Sequence, residues 1–298
     1  MTTIPQVSVV IPCHNRFNYL RECLSSVANQ TYPSIDLIVV DDASEQGGVA
    51  LAIESTRWHA NVSIKVIRSE KNGGAGCSRE LGRIQCSGSY IAYLDSDDLW
   101  HPENLTLQVE NLKSNPSAGM SYCTAIQFAE LPILGNEAVF ARSDKSFNCV
   151  LPELTKGRPW PTGGCLWTQN AVRRIGPWCG ARLGADFMYD LIAGCNDILL
   201  TKVPEILCYV RRGDNVNHLT GITELEYSLR SFEVYREIIE TLVRTEKIKD
   251  EELRKWITGR LFFRAFELMK GGYSINGDPF IRAALKIQRE FSMGVMSK

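Results

Sequence analysis

An α/β fold is what this 298-residue sequence predicts: a mainly parallel sheet sandwiched by helices in the Rossmann-like manner, with a C-terminal helical appendage. Three observations predict it. Short β-branched runs alternate with segments of helical period over the first 123 residues, the signature of βαβ units. Three of those runs empty into polar clusters, as strands do where such sheets bind ligands beyond their carboxyl ends. From 221 onward the alternation stops and only helical periodicity remains.

Residues 7–11 (Val-Ser-Val-Val-Ile) form the first strand, ending at Pro12. Asn15 or Asn18 can cap a helix that carries Leu20, Leu24 and Val27 on one face and stops before Pro33. Residues 36–40 make a second strand closed by Asp41-Asp42, and after a helical stretch residues 63–68 make a third. Asn72-Gly73-Gly74-Ala75-Gly76 leads into a helix through Gln85, residues 89–94 form a fourth strand, a helix spans 102–113, and residues 118–123 form a fifth strand. Residues 125–160 show no period and carry Pro132, Gly135, Pro152, Gly157 and Pro159, so they read mostly as loop. Leu225, Leu229, Phe232, Tyr235, Ile239 and Leu242 trace one helix face; further helices are expected at about 250–270 and 279–289.

Composition excludes several classes. With 44% hydrophobic and 22% charged residues the chain is an ordinary globular one. A net charge of −1 gives no basic face for nucleic acid. Ten cysteines form no Cys-x-x-Cys pair and the four histidines lie far apart, so zinc spacing is absent. Cys23, Cys86, Cys123 and Cys208 sit in apolar or helical contexts, as free thiols do. No leader precedes the first strand, so a cytoplasmic location is expected, with peripheral contact at the inner face of the membrane left open. No apolar run approaches the ~20 residues that span a bilayer.

The most informative stretch is Tyr90-Ile-Ala-Tyr-Leu94 followed by Asp95-Ser96-Asp97-Asp98. Crowded carboxylates raise one another's pKa values and cost stability. Mg²⁺ or Mn²⁺ would remove that penalty, since one or two carboxylates plus substrate phosphates form a common site for such ions. A solvated acidic turn ahead of the helix at Pro102 is the alternative. Two further clusters, Pro12-Cys13-His14-Asn15 and Asp41-Asp42-Ala43-Ser44, end the first two strands. The convergence favours a ligand site.

In this order, four blocks resemble the inverting family 2 glycosyltransferases with the nucleotide-sugar-binding A-type fold. They are residues 7–12 with His14-Asn15, residues 37–44, Asn72-Gly73 with Arg79, and residues 88–98. The resemblance is strong over 7–104 and returns at Gly184-Ala185-Asp186 and over 209–216. It implies a metal-dependent inverting transfer from a nucleotide sugar, a UDP-sugar in first place, to a glycan, polysaccharide or lipid-linked acceptor. It places Pro12, His14, Asn15, Asp42, Arg79, Asp95, Ser96, Arg211 and Arg212 around the nucleotide sugar. Asp42 would meet the base, His14 would stack on it, Asp95 would lie near the ribose, and Asp97 would hold Mg²⁺ or Mn²⁺. It also implies a catalytic domain over 1–221, in halves of about 1–123 and 124–221, and a helical extension over 222–298.

Asp186 matches the base that takes the acceptor hydroxyl's proton, a task suited to a carboxylate whose pKa is raised by partial burial. Its usual Glu neighbour is Ala185 here, and Asp190, one helical turn on, is the back-up. In the lid block Arg212 stands where His is usual; it cannot ligate a metal but can clamp phosphate, as can Arg211. Trp160 is a candidate acceptor platform, whereas Trp167 reads as core. A binding protein without turnover and a nucleotidyltransferase are the competing readings. For the C-terminal helices, packing on the catalytic domain or self-association ranks ahead of membrane contact, because Asp250, Glu251, Glu252 and Glu267 accompany the basic residues.

Overall fold

The computed structural model describes residues 4, 6–45, 47–133, 137–180, 183–212, 224–272 and 274–292. Val7–Cys13 (β1) is buried along its whole length. Parallel strands covered on both faces read as continuous apolar runs in this way. Phe17–Ala28 (α1) turns Leu20, Cys23, Leu24 and Val27 inward and delivers Ile35–Asp41 (β2), which pairs with β1 in parallel. Gly48–Glu54 (α2) leads to Val62–Arg68 (β3), a half-exposed edge strand that carries Lys65 and Arg68. Charges on an edge discourage pairing with other chains.

Ala75–Arg83 (α3) then carries the chain across to the opposite side of β1, where Tyr90–Tyr93 (β4) pairs with it in parallel. The crossover is tight: a Cβ on Gly82 would meet Val10 Cγ1 at 2.3 Å. Only glycine lets α3 sit so close to β1. The strand order β3-β2-β1-β4 therefore reverses at the β1/β4 boundary. That is where open α/β sheets bind ligands.

Beyond β4 the sheet changes character. Leu99–Trp100 (β5), Asn104–Ser114 (α4), Met120–Phe128 (β6), Ala138–Val139 (β7), Cys165–Thr168 (β8), Gln169–Ile175 (α5), Ala185–Cys195 (α6) and Leu200–Arg211 (β9) complete it. The order continues β4-β8-β6-β9-β5, with β7 on β6. Pairings of β8 with β4 and β6, of β5 with β9 and of β7 with β6 are antiparallel, while β6 and β9 are parallel. The sheet is thus mixed, and parallel pairing is continuous only through its nucleotide-side half. Residues 125–160 are mostly irregular, as expected, apart from the end of β6, β7 and a 3₁₀ turn at Glu153–Lys156. Arg142 staples them, donating to the carbonyls of Glu153 and Gly157 at 2.9 and 2.8 Å.

Glu224–Arg244 (α7), Glu251–Lys270 (α8) and Ser274–Ser292 (α9) follow. Asp250 caps α8, its carboxylate accepting from the Leu253 N–H. The third helix begins at Ser274 rather than Pro279, which lies inside it. Ile238, Leu242, Ile257, Leu261 and Ala265 share one apolar cluster with Tyr93, Met188 and Tyr189 of the sheet region. Trp256 stacks on Phe187 of α6, ring centroids 5.9 Å apart. Packing against the sheet region is therefore the role the helices visibly have, although Phe263 and Phe266 remain exposed. All ten cysteines are free thiols. No helix among the described residues is long and apolar enough to cross a membrane.

Candidate active site

The predicted residues gather at the carboxyl ends of β1, β2 and β4. Pro12 is buried inside β1 opposite Val40. Just beyond, His14 exposes its ring and donates from Nδ1 to the Asp42 carbonyl at 2.8 Å. Asn15, at φ +56°, ties the two loops: its N–H donates to Ser44 Oγ at 3.1 Å and its Oδ1 accepts from the Glu45 N–H at 2.7 Å. Asp41 is taken up by Arg68 and by the Ser44 N–H.

Asp42 anchors the glycine loop. Its Oδ1 accepts from the Gly73 N–H at 2.9 Å and its Oδ2 from the Gly74 N–H at 2.8 Å. Each carboxylate oxygen has a second lone pair, so a base N–H can still be accepted.

In the acidic turn each carboxylate has its own partner. Asp95 pairs with Arg79, and Arg79 is buried, with its guanidinium carbon 4.9 Å from the Trp178 ring centre. The alternative of a helix-surface arginine falls with that burial. Asp97 pairs with Arg16 at the foot of α1. Ser96 is buried between them. Asp98 does not cap the next helix; buried, it accepts the Arg211 N–H of β9 at 2.9 Å. Burial first, then Asp95 and Asp97, push its carboxyl well above the usual carboxylate range.

The lid arginines diverge. Arg211 lies between the Tyr19 and Phe128 rings, 4.5 Å from each, donates from Nε to the Asp97 carbonyl at 3.0 Å, and pairs with Glu22. It is 7% exposed and bolts β9 to the acidic turn, so the phosphate-clamp role expected of it is not the one this geometry shows. Arg212 is exposed and donates to Gln127 Oε1 at 3.3 Å. The rest of that block, residues 213–217 with His218, lies outside the described residues, as does the expected domain boundary at 221.

Asp186 stands in the first turn of α6, which Gly184 opens at φ +66°, a conformation that favours glycine. Its Oδ1 accepts from the Phe187 N–H at 2.9 Å and its Oδ2 from Arg158 Nη1 at 3.0 Å. The carboxylate is 39% exposed. Burial pulls its pKa up, but Arg158 and then Arg79 outweigh burial, and the net direction is down. The expected raised pKa is therefore overturned: this carboxylate stays ionised. Asp190, the back-up base, is also overturned, because only 1% of its side chain is exposed. Its Oδ2 accepts from Arg158 Nε at 2.6 Å and Trp160 Nε1 at 2.9 Å. Trp160 is fully buried and cannot be an acceptor platform; Trp167 is core, as expected.

Arg16, Glu22 and Arg158 carry no recognisable local pattern. The one hint at Arg158 is a lone charge between Gly157 and Pro159 in an apolar stretch, which must find carboxylates if it is buried. As for a metal, no group of three His, Cys, Asp or Glu converges among the described residues. Asp97, with Asp95 two positions earlier, offers one or two carboxylates. That donor set fits an ion that completes its shell with phosphate oxygens and water.

Residues 8–133 match the model of glycosyl transferase family 2. The putative teichuronic acid biosynthesis glycosyltransferase TuaG of Bacillus subtilis (strain 168) is 34% identical over 106 residues, 36% of this chain and 41% of that one. The chain spans well under half the length of the first curated relatives it matches. The structure of S. aureus TarS 1-349 with UDP-GlcNAc superposes with a TM-score of 0.66 at 14% identity, covering 94% of this chain and 92% of that one. The mannosyltransferase PcManGT from Pyrobaculum calidifontis, in complex with GDP-Man and Mn2+, gives 0.58 at 16% identity, covering 96% and 88%. At those identities the two structures establish the fold, and together with the sequence match they make this chain a member of glycosyl transferase family 2 on the A-type fold.

Proposed function

We propose that the protein transfers one sugar, with inversion and with the help of Mg²⁺ or Mn²⁺, from a nucleotide sugar to a hydroxyl of a glycan, polysaccharide or lipid-linked acceptor. One observation carries the reading. Arg79 joins the two halves of the site, pairing with Asp95 of the acidic turn while its charge acts on Asp186 across the cleft. A sugar attached to a diphosphate at Asp95–Asp97 would thus have an ionised carboxylate opposite its leaving group. TarS and PcManGT, which share the fold, are described with UDP-GlcNAc and GDP-Man, so uracil and guanine nucleotides are the donors to try first.

Under this reading the acceptor oxygen attacks the anomeric carbon as the bond to the diphosphate oxygen breaks. Asp186 takes the hydroxyl proton, and the nucleoside diphosphate leaves with the bonding electron pair. Arg79 and Arg212 are the cations placed to meet the diphosphate. Asp97, assisted by Asp95, would hold the divalent ion, which when bound neutralises charge gathering on the departing diphosphate. His14 and Asp42 would receive the base. The test is release of nucleoside diphosphate from a panel of UDP- and GDP-sugars, with and without Mn²⁺, against oligosaccharide and polyprenyl-diphosphate acceptors. Donor binding by calorimetry without turnover on any acceptor or water would favour a binding protein and refute transfer.

A further inference from the structure

The base of the proposed reaction sits in a chain of buried polar contacts that starts well behind it. Trp160 Nε1 donates to Asp190 Oδ2 at 2.9 Å, and Arg158 Nε donates to the same oxygen at 2.6 Å. Arg158 Nη1 donates to Thr162 Oγ1 at 3.1 Å and to Asp186 Oδ2 at 3.0 Å. Asp190 and Trp160 are buried, the Arg158 side chain is 15% exposed, and only Asp186 reaches the cleft. The series runs from a rigid indole to the solvent edge with no flexible member. Nothing in the transfer chemistry requires Asp190 or Trp160 to meet substrate.

We propose that Arg158 is the positioning residue of the base, held by Asp190 and Trp160 so that it fixes the Asp186 carboxylate against the acceptor hydroxyl. The inference rests on the assignment of Asp186 as base. A carboxylate in the first turn of a helix has free χ rotation unless both oxygens are held. Here Oδ1 is held by the Phe187 N–H and Oδ2 by Arg158. That leaves one defined set of lone pairs for the incoming proton. Because one guanidinium serves two carboxylates, Asp190 also sets how much of the Arg158 charge is available to Asp186. A carboxylate that shares a cation with a second carboxylate is less stabilised in its ionised form than one with the cation to itself.

This arrangement gives two substitutions opposite signs. Asp190→Asn keeps an oxygen that can accept from Arg158 and Trp160 but deletes the charge. Arg158 then acts on Asp186 alone, and the acid limb of the kcat profile moves to lower pH. Arg158→Lys keeps a positive charge, but an ammonium lacks the planar fork that spans both carboxylates. The acid limb then moves to higher pH, and kcat falls roughly ten- to a hundredfold, as expected for a reacting group out of place by about 1 Å. Donor affinity by calorimetry stays within twofold in both variants.

The experiment measures kcat against pH for the two variants, with thermal unfolding to correct for folded fraction. It is paired with ¹³C NMR titration of carboxyl-labelled aspartates, Asp186 being assigned by the signal lost in Asp186→Asn. Opposite displacement of the Asp186 titration in Asp190→Asn and Arg158→Lys, with the kcat loss confined to the second, supports the proposal. Superimposable titrations, or a kcat loss no greater than the loss of folded protein, overturn it. An Asp186→Asn enzyme with wild-type kcat overturns the base assignment and this inference together. An inactive Asp186→Asn with unmoved titrations in the other two overturns only the inference.

Discussion

Ile257 of α8 decides whether the C-terminal helices belong to the enzyme's core or ride on its surface. Its side chain is fully buried and shares an apolar cluster with Leu242 and Leu261, which continues to Met188 and Tyr189. Ile257→Ala removes buried methyl and methylene groups with a rigid surround, and such changes cost about 2–5 kcal/mol. Unfolding entropy of about 2.1 cal/mol/K per residue gives about 0.6 kcal/mol/K for 298 residues unfolding as one unit, so Tm should drop by roughly 3–8 °C. Phe263 is the control: it lies on the same helix and is larger, but it is 58% exposed. Phe263→Ala should change stability by no more than about 0.5 kcal/mol, below 1 °C. Differential scanning calorimetry of wild type and both variants reads the outcome, with a single transition expected in each. An Ile257→Ala protein no less stable than Phe263→Ala, or a wild-type transition that splits in two, would refute the shared core.

Asp97→Asn should leave Tm within about 1 °C of wild type, since an amide can keep a contact with Arg16, while transfer falls by at least about a hundredfold, as when a charge-stabilising group is lost; undiminished activity in excess chelator would remove the metal from the scheme. Asp186→Asn should lower kcat by roughly 10²–10⁴ without weakening the donor, whereas Asp42→Ala, which releases the Gly73–Gly74 loop, should act mainly on donor KM; calorimetry with UDP separates the two. Because the Asp186 carboxyl is held below the usual carboxylate range, it stays ionised as pH falls through 5, so an Asp186-dependent acid limb should appear only below that pH in a stopped assay. Arg16→Gln removes the cation now paired with Asp97, so nucleotide-free protein should bind Mn²⁺ more tightly by electron paramagnetic resonance; equal affinity would mean that Arg16 and the ion do not compete.

The nucleotide-side half of the fold was readable because its information is local. The strands at Val7–Cys13 and Ile35–Asp41 are apolar runs with a hard stop, and each stop is a polar cluster that the topology brings to the β1/β4 boundary. The other half hides its order. Cys165–Thr168 is four residues long, follows a 3₁₀ turn and inserts between β4 and β6 in antiparallel sense, and no periodicity over four residues announces that. Trp160 shows the same limit on a single residue. An aromatic near an acceptor cleft and an aromatic under it have the same sequence neighbours; only the buried Asp190 carboxylate, which its indole N–H satisfies, tells them apart.

The electrostatics of the site follow the same division. Strand ends concentrated the carboxylates in one visible stretch, but what neutralises them comes from far along the chain. Arg16 reaches Asp97 across 81 positions, Arg158 reaches Asp186 across 28, and Arg211 reaches Glu22 across 189. The crowding that suggested a divalent ion is thus already relieved, before any ligand arrives, by arginines that the crowding itself did not reveal. That changes what the ion has to do. It need not rescue an unstable acidic turn; it has to displace Arg16 from Asp97, and the attraction of a diphosphate for both cations is what makes the displacement favourable. Binding of ion and nucleotide should then be mutually dependent, each tightening the other by the same factor. Mn²⁺ titrations with and without UDP, and UDP titrations with and without Mn²⁺, measure the two factors separately. If either ligand binds with full affinity alone, Asp97 is not the residue that joins them.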